Sequence, residues 1–217
     1  MTTTLYLVRH GETMGNRVRR YQPYDTPLTD EGRAQARLVA ARLAEEGPFA
    51  ALYASDLTRT LETAAAIGEQ LGLRLVPDPR LRELDCGDWK GVLYTEIEAR
   101  FPGHRERWIA AGGLERLPGP EGESTTDVHA RVTAAFNEYV TRHAGGRVIL
   151  VSHGWALGML LAAIEDVHYA DAFREQRYQF GNTSVTIVEV DNGGVRRCSL
   201  RNCTRHLVVA AGNEGSP

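Results

Sequence analysis

The chain has 217 residues, with 25 Lys or Arg and 28 Asp or Glu, so its formal net charge is −3 at pH 7. This balance gives no overall positive field to attract nucleic acid, and 42% hydrophobic residues with nine prolines are typical of one folded domain. No run of about 18 apolar residues occurs, so we expect no membrane contact. The three cysteines form no CxxC pair, which favours free thiols and a reducing, cytoplasmic location.

Three short apolar runs, each typical of a buried strand, end in polar residues. The runs are residues 5–8, 51–54 and 148–151, and they lead into Arg9-His10, Ser55-Asp56 and Ser152-His153. A further strand is predicted for residues 183–190, before a turn at 191–194, and an edge strand within residues 195–209. Each of the first three strands therefore delivers polar groups at its carboxyl end.

Apolar residues at helical spacing predict helices between these strands. They fall at Ala34, Leu38 and Ala41 in residues 30–46, at Leu57, Leu61, Ala64 and Leu71 in residues 57–71, and at Val128, Val132, Ala135 and Tyr139 in residues 125–143. We expect Ser55 or Asp56 to cap the second helix, Gly145-Gly146 to end the third and a fourth helix to follow His153.

The alternation of strands and helices predicts an α/β fold, a three-layer α/β/α sandwich with a mostly parallel central sheet, in one domain spanning residues 1–217. Ligands of such sheets bind beyond the carboxyl ends of the strands. Residues 101–124 are too broken by proline and glycine for one long helix and too long for a plain connection, so we interpret them as a short lid insertion. Residues 212–217 are expected to be frayed.

The residues at the predicted strand ends suit phosphoryl chemistry. Arg9 and Arg59 can bind a phosphate dianion through bidentate hydrogen bonds. A neutral His10 between them can attack phosphorus, and His153 as an imidazolium can stabilise the charge of the transition state. Glu83 is our candidate general acid for the leaving group, with Asp85 and Glu12 as alternatives.

A histidine taken alone is more often structural than catalytic, and we assign His104, His129, His143, His168 and His206 in that way. The combination of residues at the strand ends is what points to catalysis. The chain has no GxxxxGK[ST], GxGxxG, GxSxG or HExxH motif. None of its cysteines is followed six residues later by arginine, which argues against a cysteine-dependent phosphatase.

The sequence resembles the histidine phosphatase superfamily, also called the phosphoglycerate mutase-like family. The resemblance rests on Leu7-Val-Arg-His-Gly-Glu-Thr13 with Asn16, on Ser55-Asp-Leu-Thr-Arg-Thr60, on Leu81-Arg-Glu-Leu-Asp85 and on Val151-Ser-His-Gly154. It implies that His10 is phosphorylated, that Arg9, Arg59 and His153 complete the phosphate pocket, and that Glu83 donates a proton. It further implies a lid, no metal or other cofactor, frequent homodimers and a lesser role for Asn16.

Gly87-Asp-Trp-Lys-Gly91 follows the acid where the mutase branch has a Tyr-Gly tract, so we favour a phosphatase acting on a small phosphorylated metabolite. A phosphoglycerate mutase and a non-catalytic module that binds a phosphorylated ligand remain the alternatives. Trp155 and Lys90 depart from the residues usual in the family. The candidate substrate contacts are Asn16, Gly154, Trp155, Arg20 and Tyr21.

A second anionic group on the substrate is a further hypothesis, since basic and aromatic residues cluster after the first motif and in the lid. They are Arg17, Arg19, Arg20, Tyr21, Tyr24, Arg105, Arg107, Trp108 and Arg116. The alternative is that these are ordinary solvated surface residues.

Overall fold

A computed structural model describes residues 1–211, and the predicted frayed segment 212–217 lies outside the described residues. The described part contains six strands, nine α-helices and two short 3-10 helices, at Pro79–Leu81 and Gly87–Trp89. The strands are β1 (Thr3–Arg9), β2 (Ala51–Ala54), β3 (Leu75–Pro77), β4 (Arg147–Ser152), β5 (Val185–Val190) and β6 (Arg196–Cys203). The helices are α1 (Met14–Val18), α2 (Asp30–Glu46), α3 (Thr58–Leu71), α4 (Ile97–Arg100), α5 (His104–Ala110), α6 (Thr125–Arg142), α7 (Gly154–Ile164), α8 (Tyr169–Arg174) and α9 (Arg205–Ala211).

The strands form one sheet in the order β3-β2-β4-β1-β5-β6. The first four strands of this order are parallel to one another, whereas β5 and β6 run antiparallel to their neighbours. This arrangement confirms the predicted mostly parallel α/β fold. It also places β2, β4 and β1 side by side, so that their carboxyl ends open at the same edge of the sheet.

Two hydrophobic cores cover the two faces of the sheet, as the alternation of side chains along a strand requires. In β1, Leu5 and Leu7 join the core formed with α6 and α7, while Tyr6 and Val8 join the core formed with α2 and α3. The central strands are therefore buried on both faces, which explains why they read as continuous apolar runs. The three-layer sandwich predicted from the sequence is confirmed.

The helix α6 matches its predicted face, with Val128, Val132, Ala135 and Tyr139 all buried. The predicted face of α2 was wrong. Ala34 and Leu38 are only partly buried and Ala41 is exposed, whereas the helix buries Ala36, Val39, Ala40 and Leu43. This helix is rich in alanine, so it presents two apolar stripes, and packing of the larger Val39 and Leu43 decides which one faces the sheet.

The N-terminus of α3 also differs from the prediction. Its N-cap residue is Leu57, which has no side chain that can cap the helix. Ser55 instead contacts His153, and the Asp56 carboxylate pairs with Arg82. Both residues expected to cap the helix are thus engaged by groups that lie far away in the sequence.

The C-terminal part confirms an edge strand, β6, but adds the unpredicted helix α9. This helix packs on α2, where the buried Arg42 guanidinium donates to the Cys203 carbonyl and contacts the His206 ring. Residues 101–124 contain α5 and several turns rather than one long helix. Cys86, Cys198 and Cys203 are free, and within residues 1–211 no helix is long and apolar enough to span a membrane.

The loop after β1 packs backbone against backbone on the first turn of α2. A Cβ added to Gly32 would lie 2.1 Å from the Glu12 carbonyl oxygen, and one added to Gly11 would lie 2.4 Å from the Gly32 carbonyl oxygen. Both distances are far shorter than a van der Waals contact. Glycine at these two positions therefore allows the loop that carries His10 to rest directly on α2.

We expect Gly32→Ala to lower the free energy of unfolding by about 1–3 kcal/mol, because the added methyl group meets backbone that cannot move aside. Urea denaturation would measure this change. Gly158→Ala is the matched control, since its new Cβ would lie 3.6 Å from Tyr178 Cβ, an ordinary contact, within the helix α7. Equal stability of the two variants would contradict the assigned packing.

Candidate active site

The neighbouring strands β1, β4 and β2 bring the polar residues of three separate sequence segments together. Arg9 is paired with Ser152 in the parallel register of β1 and β4, and the His10 amide donates to the Ser152 carbonyl at 3.0 Å. The ring centroids of His10 and His153 consequently lie 5.2 Å apart. The two histidines that the sequence predicts to act together are adjacent in the structure.

The His10 ring has a defined arrangement of its two nitrogens. Nδ1 lies 2.7 Å from the Gly11 carbonyl oxygen, and because a carbonyl can only accept, Nδ1 must carry the proton. In the neutral ring this leaves the lone pair on Nε2. Burial, followed by the charges of Arg59 and Arg9, holds the pKa of His10 well below its ordinary value, so the ring is neutral at pH 7.

His153 is completely buried, and its Nε2 lies 2.8 Å from the Ser55 hydroxyl oxygen. Burial and the nearby Arg59 and His10 hold the pKa of His153 well below its ordinary value. The expected role of His153 as an imidazolium beside a bound phosphoryl group stays a prediction, whereas in this structure the ring is neutral. The physical reason is that a charged ring would lose its hydration and face two guanidinium groups.

Arg9 and Arg59 supply the positive charge of the site. Arg9 ends β1 and Arg59 lies in the first turn of α3, and both line one large cavity. Each donates one hydrogen bond to a backbone carbonyl, Arg9 to Phe180 and Arg59 to Pro23. The Nε atoms of both have no hydrogen-bond partner within residues 1–211, so donors remain for an anion.

The guanidinium of Arg59 is strongly affected by its surroundings. Burial, partly offset by the negative charge of Glu83, lowers the pKa of Arg59 to about 10. The group stays positively charged at pH 7. An anion bound beside it would meet a poorly hydrated cation, and such a cation binds an anion more strongly than one exposed to water.

Glu83 lines the same cavity and is held by the start of α7. Its carboxylate accepts the backbone N–H groups of Trp155 at 3.2 Å and of Ala156 at 3.0 Å. Both amides belong to the first turn, where N–H groups have no partner within the helix. Trp155, which directly follows His153-Gly154, thus helps to position Glu83, the candidate acid, through its backbone amide.

The two alternative carboxyl groups are engaged elsewhere. Asp85 accepts from Tyr24 and the Gly87 amide and pairs with Lys90 at 2.9 Å. Glu12 pairs with Arg17 at 2.7 Å. Among the described residues, Glu83 is the one of these three carboxyl groups that lines the cavity. Lys90, which differs from the residue usual in the family, forms the ion pair with Asp85 and does not line the cavity.

Four of the five predicted substrate contacts, Gly154, Trp155, Arg20 and Tyr21, line the cavity, and Asn16 does not. The Asn16 side chain accepts from Thr13 at the start of α1 and from Asn182 at 3.2 Å. Of the other basic and aromatic residues singled out from the sequence, Arg19, Arg105 and Trp108 also line the cavity. Arg116 instead pairs with Asp127 at 2.7 Å.

Sequence reasoning missed the residues that hold the His10 backbone. The Asn182 amide donates to the His10 carbonyl at 3.0 Å, and the Thr183 N–H donates to the Arg9 carbonyl at 3.0 Å. Thr183 adopts a φ of 52°, which is rare for a β-branched residue and indicates local strain at the site. The Gly181-Asn182 pair before the predicted strand was the available turn signal.

It also missed Arg131 in α6, whose guanidinium fixes the segment that carries Glu83. Arg131 donates to the backbone carbonyls of Arg82 and Glu83 at 2.6 and 2.9 Å and pairs with Glu123 at 2.8 Å. No local sequence pattern marks an arginine that binds backbone carbonyls about fifty residues away. The wall formed by residues 172–180 was missed for the same reason.

Residues 5–204 match the family model of the histidine phosphatase superfamily (branch 1). The chain belongs to this superfamily. A Yersinia pestis protein named "Probable phosphoglycerate mutase GpmB" is 40% identical over 188 residues, which are 85% of this chain and 84% of that protein. The family predicted from the sequence motifs is confirmed, and the chain is an enzyme of the histidine phosphatase type.

Two solved structures of this superfamily are similar over nearly the whole chain. YhfR from Bacillus stearothermophilus is 38% identical with a TM-score of 0.85, covering 94% of this chain and 99% of its own. A mycobacterial glucosyl-3-phosphoglycerate phosphatase solved with VO3 is 32% identical with a TM-score of 0.80, covering 92% and 99%. The match therefore includes nearly all of this chain and nearly all of both solved chains.

We expect the free energy of unfolding to decrease as the pH is lowered below about 6.5, the ordinary pKa of histidine in an unfolded chain. The folded pKa values of His10 and His153 are lowered, so in this range the unfolded chain takes up protons that the folded chain does not. Each such histidine contributes a slope of at most about 1.4 kcal/mol per pH unit. Burial similarly lowers the pKa of His206 to about 4.

Urea denaturation between about pH 7.5 and 5.5 would measure this slope. A variant combining His10→Gln with His153→Gln should show a weaker pH dependence than the parent chain. The same slope in both proteins would show that the two rings are not held neutral by the fold.

Proposed function

We propose that the chain is a phosphomonoesterase that hydrolyses a small phosphorylated metabolite through a phosphohistidine on His10. The observation that carries this proposal is the neutral His10 ring, with its proton on Nδ1 and its lone pair on Nε2, beside two cavity-lining arginines. A neutral imidazole is a nucleophile, and the arginines provide the charge that holds a phosphoryl group.

In the first step, the lone pair of His10 Nε2 forms a bond to phosphorus as the phosphorus–oxygen ester bond breaks. The departing alkoxide takes a proton from the carboxyl group of Glu83, and the alcohol leaves. Arg9 and Arg59 hold the phosphoryl oxygens in this step, and His153 donates a hydrogen bond from its ring. The negative charge of a bound phosphate favours protonation of His153 when substrate is present.

In the second step, water attacks the phosphorus of phosphohistidine while Glu83, now a carboxylate, takes a proton from the water. The phosphorus–nitrogen bond breaks, its electron pair returns to His10 Nε2, and inorganic phosphate is released. Glu83 therefore acts first as an acid and then as a base, and the enzyme returns to its starting state.

The alternative within the superfamily is a phosphoglycerate mutase, in which phosphohistidine is passed to another phosphoglycerate molecule and not to water. The Yersinia pestis relative named as such a mutase supports this alternative. The mycobacterial phosphatase, and an Entamoeba histolytica phosphoserine phosphatase that is 25% identical with a TM-score of 0.79, support hydrolysis. The cavity residues are compatible with both reactions, so the fate of phosphohistidine must be measured.

We expect His10→Ala to abolish phosphoenzyme formation and phosphate release, because the variant has no nucleophile at this position. We expect Glu83→Gln to lower kcat by about 10²–10⁴-fold for an ester with a poor leaving group, since the amide cannot donate this proton. Both effects would be measured by phosphate release and by the intact mass of enzyme whose reaction has been stopped without acid. His104→Ala, on the exposed start of α5, is the matched control.

A phosphatase would release phosphate from several monoesters and would not interconvert phosphoglycerates. Incubation with 3-phosphoglycerate, with and without its bisphosphate, distinguishes the two reactions. Formation of 2-phosphoglycerate as the main product would establish the mutase and overturn the proposed hydrolysis. Binding without any phosphoryl transfer would instead support a binding module.

We further expect phosphate release to be unchanged after treatment with a metal chelator, because the proposed steps use protein side chains alone. Activity assayed before and after dialysis against EDTA would test this. Loss of activity that returns on adding a divalent cation would contradict the proposed mechanism.

A further inference from the structure

The cavity lining carries more positive charge than a single bound phosphoryl group would neutralise. Among the described residues, its lining includes six arginines and one carboxylate, Glu83. Arg9 and Arg59 belong to the phosphate end, and Arg174 pairs with Asp171 at 2.8 Å. Three arginines remain that form no ion pair with a carboxylate in the described part of the chain. They are Arg19, Arg20 and Arg105, and we name them the arginine rim.

The three arginines of the rim lie at the cavity mouth. All three side chains are exposed to solvent as well as to the cavity. The positive charge of Arg105 acts on Tyr21 and partly offsets the burial that raises the pKa of this residue. The Tyr21 ring centroid lies 4.4 Å from that of Tyr94. The Arg19 guanidinium lies 5.8 Å from the centre of the Tyr94 ring. Arg19 and Arg105 thus lie beside one aromatic pair, and Arg20 lines the same cavity, in a protein whose formal net charge is −3.

Another part of the cavity lining is aromatic, and we define this aromatic wall by Trp108, Trp155 and Phe173. Their ring centroids lie between 4.9 and 5.3 Å apart, although the residues come from three different helices. All three rings line the cavity. Such a surface favours an apolar or aromatic group over a small polar one.

The aromatic wall begins next to the residue proposed to protonate the leaving group. The Trp155 backbone N–H donates to the Glu83 carboxylate, so this residue of the wall is adjacent to the proposed proton donor. The cavity has a volume of about 670 Å³, which falls within the range of sites that enclose a complete small organic ligand. A leaving group of two or three carbons would leave most of this space to water.

We propose that the substrates of this site are phosphomonoesters whose leaving group has an apolar body, seated on the aromatic wall, and a second anionic group, bound by the arginine rim. This inference rests on the proposed phosphatase function and adds a substrate class to it. The second anion neutralises charges that have no carboxylate partner, and a charge-assisted contact with arginine is stronger than one with a neutral acceptor.

The test compares three phosphate esters of primary alcohols, two of which are benzyl esters. They are 4-carboxybenzyl phosphate, its neutral analogue 4-carbamoylbenzyl phosphate, and ethyl phosphate. We expect kcat/KM for the carboxylate to exceed that for the carboxamide by about 10-fold, which corresponds to about 1.4 kcal/mol. We expect both benzyl esters to exceed ethyl phosphate.

Matched variants test whether the arginine rim causes the preference for the carboxylate and whether the aromatic wall causes the preference for benzyl esters. Arg20→Gln combined with Arg105→Gln should bring the carboxylate-to-carboxamide ratio close to one, whereas Arg107→Gln, on the same helix α5 but outside the cavity lining, should keep it. Trp155→Leu should reduce the preference for benzyl over ethyl. These ratios are insensitive to the fraction of folded enzyme, because each is measured on one protein preparation.

Three outcomes distinguish a failure of this inference from a failure of the proposed function. Turnover of all three esters with a carboxylate-to-carboxamide ratio near one in the parent enzyme would overturn the substrate class and leave the phosphatase intact. A ratio that survives in the arginine-rim variant would overturn the assignment of these residues. Absence of turnover and of phosphohistidine with every ester would overturn the phosphatase itself.

Discussion

The burial of two histidines beside two arginines is the constraint on which the rest of this site depends. His10, His153, Arg9 and Arg59 share one poorly hydrated region, and four positive charges there would repel one another strongly. The imidazoles have the lower intrinsic affinity for a proton and therefore become neutral, while the guanidiniums stay charged. The same electrostatic balance yields both a nucleophile and a binding site for an anion.

Parallel strands make this burial possible, and this is the part of the molecule that the sequence predicts well. Residues 5–8, 51–54 and 148–151 are apolar throughout because their strands are covered on both faces, so the polar residues after them stand out. The sequence favours Glu83 as the general acid and leaves Asp85 and Glu12 as alternatives. The selection of Glu83 depends on two amides of α7 that the sequence does not place next to it.

What sequence reasoning could not supply depends on contacts between distant segments. The lowered pKa of His153 is set by burial and by Arg59, which the residues beside His153 in the sequence do not indicate. The core face of α2 was wrong because two alanine-rich stripes differ little in hydrophobicity. The aromatic wall joins α5, α7 and α8, and the spacing of its members along the chain carries no signal.

Trp155 has two separate roles that are carried by different parts of one residue. Its backbone amide holds the Glu83 carboxylate, while its indole ring packs beside Trp108 and Phe173 in the cavity lining. Every amino acid except proline provides the same backbone donor. The side chain at this position can therefore be exchanged without removing the hydrogen bond that orients the acid. An enzyme built in this way can acquire a new range of substrates by single-residue evolution next to its reacting groups.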